Sequence, residues 1–151
     1  MNSASTPTRP TSRTPSLRAP RREAGDRVKT TVKTVLHADD SGSVRRWVAE
    51  QLAGSGLKVV SVADGRDALE YLKDGRCDLL LTDLEMPNVD GLELLAAVRE
   101  LPAHRFLPVL VLSSKQPAEV DAARRQGVTG WLVKPIDGDH LRRWVHRVLP
   151  E

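Results

Sequence analysis

Residues 79–95 read LLLTDLEMPNVDGLELL, and this stretch decides the fold. Leu79-Leu80-Leu81 is apolar at successive positions, which suits a strand covered on both faces, as in a parallel sheet. Asp83 stands at the exit of that strand, and Asp90 stands where the N-cap of a following helix is expected. A strand, an acidic exit and a capped helix make one βα unit.

Moving outward, the hydrophobic period keeps switching between short runs and helical spacing from residue 34 onward. Val35-Leu36 and Val59-Val60 with Val62 precede the central run; Val109-Leu110-Val111-Leu112 and Trp131-Leu132-Val133 follow it. Between the runs, Val44, Trp47, Val48 and Leu52 fall on one helical face, as do Leu141, Trp144, Val145 and Val148. Ser43, Asp64, Asp90 and either Asp137 or Asp139 occupy expected N-cap positions, and Gly54, Gly75 and Gly127 expected helix stops. Five βα units with right-handed crossovers predict a doubly wound, flavodoxin-like α/β domain with a five-stranded parallel sheet of order 2-1-3-4-5. In such a sheet the functional crevice lies beyond the carboxyl ends of the strands, where the winding reverses beside strand one.

The chemistry-bearing residues obey that rule. Asp39 and Asp40 follow the first strand, Asp83 the third, Ser113 the fourth and Lys134 the fifth; Asp64, after the second, reads as a cap. Two carboxylates about 4 Å apart repel by roughly 4 kcal/mol at an effective dielectric of about 20, so three converging carboxylates need cations or must take up protons. Lys134 and one divalent ion would bring the sum to zero. A hard, oxygen-only donor set points to Mg²⁺. An aspartate so placed can attack a phosphoryl group and form an acyl phosphate, with Mg²⁺, Lys134 and the Ser113 hydroxyl each meeting one phosphoryl oxygen.

The 151-residue chain suits one domain. Its formal charge of +3 is unevenly spread. Residues 1–33 contain Arg9, Arg13, Arg18, Arg21, Arg22, Arg27, Lys29 and Lys33 against Glu23 and Asp26, a net +6, and the remainder carries −3. With four prolines, many Ser/Thr and almost no large apolar side chain, residues 1–33 are expected to be a disordered basic arm before a domain over 34–151. The arm has no interleaved aromatics and no helical basic face, which argues against specific nucleic-acid binding; its prolines argue against a transit peptide. No apolar run reaches the roughly 20 residues of a membrane span, and no secretory segment opens the chain, so a cytoplasmic protein is expected. Cys77 has no cysteine partner and reads as a small filler beside a strand.

The motifs HADDSGSVRRWV, LLLTDLEMPNVDGLELL, VLVLSS and GWLVKP together resemble the receiver domain of two-component response regulators, most nearly the stand-alone CheY-like chemotaxis type, over residues 34–149. The resemblance implies a phosphoprotein in phosphorelay signalling, phosphorylated on Asp83 by a histidine kinase or phosphotransfer protein. It implies direct Mg²⁺ binding by Asp40, Asp83 and the Glu85 carbonyl, with Asp39 acting mostly through water. Lys134 and Ser113 take the family's lysine and hydroxyl positions, Ser114 the small residue after it, Pro87 and Gly91 the turn after the acceptor, and Pro135 the proline behind a cis peptide. Trp131 stands where the family carries Tyr or Phe, the aromatic that moves inward when Ser113 moves onto the phosphoryl group. Because Trp is larger, the expectation is a switch that is partial or differently shaped, the other reading being a strand aromatic packed permanently against the last helix.

His37, His104, His140 and His146 show no metal-ligand spacing and read as structural or solvated; Arg45-Arg46, Arg124-Arg125 and Arg142-Arg143 read as solvated helix faces. A haloacid-dehalogenase-like phosphatase is disfavoured, since its nucleophile belongs after the first strand in a D-x-D arrangement and a cap domain would be needed. A pseudo-receiver would have lost an acidic residue or the lysine. The expectation is a monomeric phosphoacceptor, catalysing only its own phosphorylation and dephosphorylation. With no output domain expected, it would signal by protein contact through the fourth helix, fifth strand and fifth helix.

Overall fold

The computed structural model describes residues 32–114, 120–125 and 127–150. The chain divides between Val32 and Lys33, and the expected disordered arm lies outside the described residues except for its last two positions. The folded part alternates as expected: β1 (Thr34–Ala38), α1 (Gly42–Ala53), β2 (Lys58–Val62), α2 (Gly65–Asp74), β3 (Leu79–Thr82), α3 (Gly91–Glu100), β4 (Val109–Ser113), α4 (Val120–Arg125), β5 (Gly130–Val133) and α5 (Gly138–Val148). A short 3₁₀ turn, Pro102–His104, precedes β4.

The strands pair in parallel in the order β2-β1-β3-β4-β5, the predicted doubly wound arrangement. Successive side chains of a strand point to opposite faces, so each central strand feeds two cores. Leu36, Ala38, Leu80 and Val109 pack with Ala68 and Leu72 of α2 and Leu94, Leu95 and Val98 of α3. Val35, Leu79, Leu81, Leu110 and Leu132 pack with Val48 and Leu52 of α1 and Leu141 and Val145 of α5. This two-sided burial is why β3 and β4 read as apolar runs; in β1 the run is interrupted by the buried His37. Among the described residues, no helix is long and apolar enough to cross a membrane.

The helix starts agree with the sequence at three positions and differ at one. Asp64, Asp90 and Asp137 are N-caps, and Asp90 forms a reciprocal capping box with Glu93. Asp139 instead lies in the first turn of α5. Ser43 is not the cap of α1: Ser41, in extended conformation, accepts the Val44 N–H at 3.3 Å, and Ser43 is already helical. The apolar stripe begins only at Val44, so periodicity could not reveal the apolar-free first turn that precedes it. Gly54 and Gly75 end their helices, and Gly127 follows α4 with a φ of 79°.

Gly91 serves the crevice directly. A Cβ there would lie 2.4 Å from the Asp83 carbonyl oxygen and 2.7 Å from Leu84 Cα, so α3 can start this close to the β3 exit only without a side chain. Gly91→Ala is expected to destabilise the domain by about 1–3 kcal/mol, as overpacking does, and to weaken Mg²⁺ binding by displacing Asp83. Urea denaturation and a metal titration check both; unchanged values would show that the start of α3 can retreat without moving Asp83.

Candidate functional site

The carboxyl ends of β1, β3, β4 and β5 bring together the residues the sequence singled out. Asp39 leaves β1 completely buried, and Asp40, the next residue, is exposed because its side chain takes the other direction. Asp83 leaves β3 with 8% of its surface exposed. Each of these carboxylates offers an oxygen, and the three oxygens lie within 4.8 Å of one another.

Lys134 closes the group from β5. Its Nζ donates to Asp39 Oδ2 at 2.9 Å and to Asp83 Oδ2 at 3.3 Å. Partial burial opposes the ammonium charge, but the hydrogen bonds and charges of Asp39 and Asp83 outweigh it and hold the Lys134 pKa above its usual value. The Lys134–Pro135 peptide is cis, as the resemblance implies. The Lys134 N–H donates to the Ser113 carbonyl at 2.9 Å, which ties the β5 exit to the β4 exit.

Backbone donors fix the acidic side chains. Asp83 Oδ1 accepts the Leu84 N–H at 2.7 Å and the Glu85 N–H at 3.4 Å, while Asp39 Oδ1 accepts the Ser41 N–H at 2.9 Å. Ser113 is buried at the end of β4, and Ser114 is exposed. Asn88, in the turn between Pro87 and Gly91, adopts a φ of 70° and donates its side-chain amide to Asp64 Oδ2 at 2.6 Å. Asp64 therefore caps α2 and anchors this turn, outside the acidic group.

Three hard carboxylate donors beside one ammonium fit a small divalent cation that keeps part of its water shell, the chemistry of Mg²⁺. One apolar cavity of about 350 Å³ adjoins the site, lined by Val44, Trp47, Leu112, Lys134, Pro135 and Ile136.

Two contributors escaped the sequence reading. Arg45, taken as part of a solvated pair, donates to the Asp39 carbonyl at 2.7 Å. His37 is completely buried, with Nε2 3.9 Å from Asp39 Oδ2. Period-two spacing along β1, which places His37 and Asp39 on one face, was the available signal. The other histidines are structural or solvated: His104 is buried with Nε2 3.0 Å from the Leu72 carbonyl, His140 accepts the Trp144 indole N–H, and His146 is exposed.

Trp131 on β5 is half-buried against the α2–α3 core, and its indole N–H is buried without a partner among the described residues. Cys77 fits its filler role, since burial pushes the thiol pKa up to about 11 and its S–H donates to the Leu79 carbonyl. At pH 8 only about one thiol in a thousand would then be thiolate. Alkylation of the native protein should be far slower than of the unfolded chain and should accelerate as pH rises toward 11; equal rates at pH 8 would contradict this burial.

Comparison with known proteins agrees with this geometry. Residues 35–146 match the model described as "Response regulator receiver domain". The chain belongs to that family. It is 41% identical over 113 residues to the cyclic di-GMP phosphodiesterase response regulator RpfG of Xanthomonas campestris, covering 72% of this chain but only 29% of RpfG. It is similar to the chemotaxis response regulator CheY4 of Vibrio cholerae, with 38% identity, a TM-score of 0.75, and coverage of 79% of this chain and all of that one. It is also similar to TrrA of Thermotoga maritima, solved in complex with Mg²⁺-BeF, with 25% identity, a TM-score of 0.71, and coverage of 78% of this chain and all of that one. Asp39, Asp40 and Asp83 match the Mg²⁺ site of receiver domains.

Proposed function

We propose that this domain accepts a phosphoryl group on Asp83 from a histidine kinase or phosphotransfer protein, in a Mg²⁺-dependent step, and passes the signal on by protein contact. The observation that carries this reading is the placement of Asp83: largely buried, beside two further carboxylates, with Lys134 Nζ 3.3 Å from its Oδ2. An Asp83 carboxylate oxygen would attack the phosphorus of a phosphohistidine. The P–N bond breaks, its electron pair stays with the donor imidazole, which takes a proton from solvent, and an acyl phosphate forms on Asp83. Bound Mg²⁺, held by Asp40, Asp83 and the Glu85 carbonyl with Asp39 behind, would supply the positive charge that three carboxylates and a phosphoryl group require. Lys134 would hold a phosphoryl oxygen, and Ser113 would donate to another. Pro87 and Gly91 shape the turn beside the acceptor, and Pro135 fixes the chain after Lys134.

The domain itself turns over no separate substrate in this reading; the phosphodiesterase named for RpfG belongs to that longer protein. Likeness to CheY4 supports chemotaxis as the process to test first. The expected disordered arm over residues 1–33 plays no part in the phosphoryl chemistry. Phosphoryl uptake from a small acyl phosphate, followed by intact mass, tests the reading: Mg²⁺ should permit it and chelation should abolish it.

Output would run from Ser113 to Trp131 and the surface of α4, β5 and α5. β4 pairs with β5 so that Val111 lies beside Trp131 and Ser113 beside Val133, which makes the coupling short. With Trp47 and Trp144 replaced by Phe, Trp131 fluorescence should respond to beryllofluoride and Mg²⁺, and Ser113→Ala should weaken that response while Mg²⁺ binding persists. A full response in Ser113→Ala would sink this route. A phosphate analogue can shift the equilibrium only by its differential affinity for the two states.

A further inference from the structure

His37 is fully buried in β1, yet neither ring nitrogen has a hydrogen-bond partner among the described residues. An aliphatic side chain would fill the position without the cost of an unpaired polar group. Its surroundings give the imidazole a task. Nε2 lies 3.9 Å from Asp39 Oδ2, beyond hydrogen-bond range, and that oxygen is held by Lys134 Nζ at 2.9 Å. The same ammonium is 3.3 Å from Asp83 Oδ2, where a phosphoryl group would arrive. When Lys134 turns to the phosphoryl oxygens, a completely buried Asp39 carboxylate oxygen loses its donor.

We propose that His37 is a positioning residue whose Nε2–H takes over Asp39 Oδ2 as Lys134 moves to the phosphoryl group, so that Asp39 stays in place. The inference rests on the reading of Asp83 as the phosphoacceptor. The required movement is about 1 Å, the difference between the present separation and an ordinary hydrogen bond. With both ring nitrogens buried and unpartnered among the described residues, Nε2–H is a donor available on the Asp39 side of the ring. Arg45 meets Asp39 at another atom, its Nη1 donating to the Asp39 backbone carbonyl at 2.7 Å.

The test uses the full chain labelled with ¹⁵N-histidine, with Mg²⁺ and beryllofluoride as the probe. The His37 ring, assigned by its loss in His37→Gln, should carry its proton on Nε2, and on addition of beryllofluoride that proton should move downfield and exchange more slowly. His37→Leu should bind beryllofluoride about tenfold more weakly, the usual effect of losing a hydrogen bond to a charged group, with Mg²⁺ affinity within about twofold. His37→Gln, which retains an N–H donor, should recover most of that loss. A proton on Nδ1 in the complex, an unmoved ring spectrum, or equal behaviour of the Leu and Gln variants would each overturn the proposal. The parent's beryllofluoride binding separates the two readings: binding with a silent His37 overturns this inference alone, whereas no binding overturns the phosphoacceptor assignment as well.

Discussion

Asp83→Asn should take up no phosphoryl group from a phosphohistidine or acyl phosphate donor under conditions in which the parent is labelled. The neutral amide is a far weaker nucleophile, and no other carboxylate of the triad is placed to replace it. Asp39 is completely buried with its oxygens held by Lys134 and Ser41, and Asp40 is exposed. The same substitution should weaken Mg²⁺ binding, because one of three converging negative charges is gone. Folding should survive, since each pair of carboxylates held about 4 Å apart carries a repulsion of roughly 4 kcal/mol at an effective dielectric of about 20, and the change removes part of it. Intact mass after phosphorylation, a Mg²⁺ titration and urea denaturation read the three effects. Acid-labile phosphate retained by a folded Asp83→Asn protein would place the acceptor elsewhere.

Lys134→Met should slow phosphorylation by about 10²-fold or more, the usual consequence of removing one preorganised donor from a site of developing negative charge. Its effect on the metal should have the opposite sign. The ammonium and a divalent ion share Asp39 and Asp83, so the variant should bind Mg²⁺ more tightly even as it reacts more slowly. In chelator, the buried Asp39 loses its counter-charge. Breaking a fully buried ion pair costs about 3–5 kcal/mol; with the Lys134 side chain 21% exposed, a loss on the order of 1–3 kcal/mol is expected. Added Mg²⁺ should restore much of it, because a ligand that binds only the folded state stabilises it. Unchanged Mg²⁺ affinity together with unchanged rate would show that Lys134 is a surface residue with no part in the site.

Both effects follow from one arrangement, in which the Lys134 ammonium and a divalent ion would share the same carboxylates. The site is thus poised rather than saturated: the ammonium satisfies two carboxylates at once and is available to neither completely. In the proposed function a phosphoryl group would change that division, and Ser113, Trp131 and His37 are the groups proposed to respond.

The chain alone determined the architecture, because the period of its apolar residues switches with each element and because strands covered on both faces must be apolar at consecutive positions. It also determined the members of the site: in a doubly wound sheet a strand's exit is known once the strand is known, so Asp39, Asp40, Asp83, Ser113 and Lys134 could be brought to one edge from spacing alone. What lies across strands was legible only in the tertiary structure. The sharing of one ammonium between Asp39 and Asp83 joins residues 95 and 51 positions apart from Lys134. The engagement of Arg45 with the Asp39 carbonyl, the anchoring of Asn88 on Asp64 and the approach of His37 to Asp39 depend on side-chain directions fixed by packing. The cap of α1 fell between these levels, since two serines flank Gly42 and only the extended backbone at Ser41 selects between them. Periodicity reports which face a residue serves, because burial of apolar surface is summed along the chain; it is silent on which polar atoms meet, because a hydrogen bond is decided within a fraction of an ångström by everything packed around it.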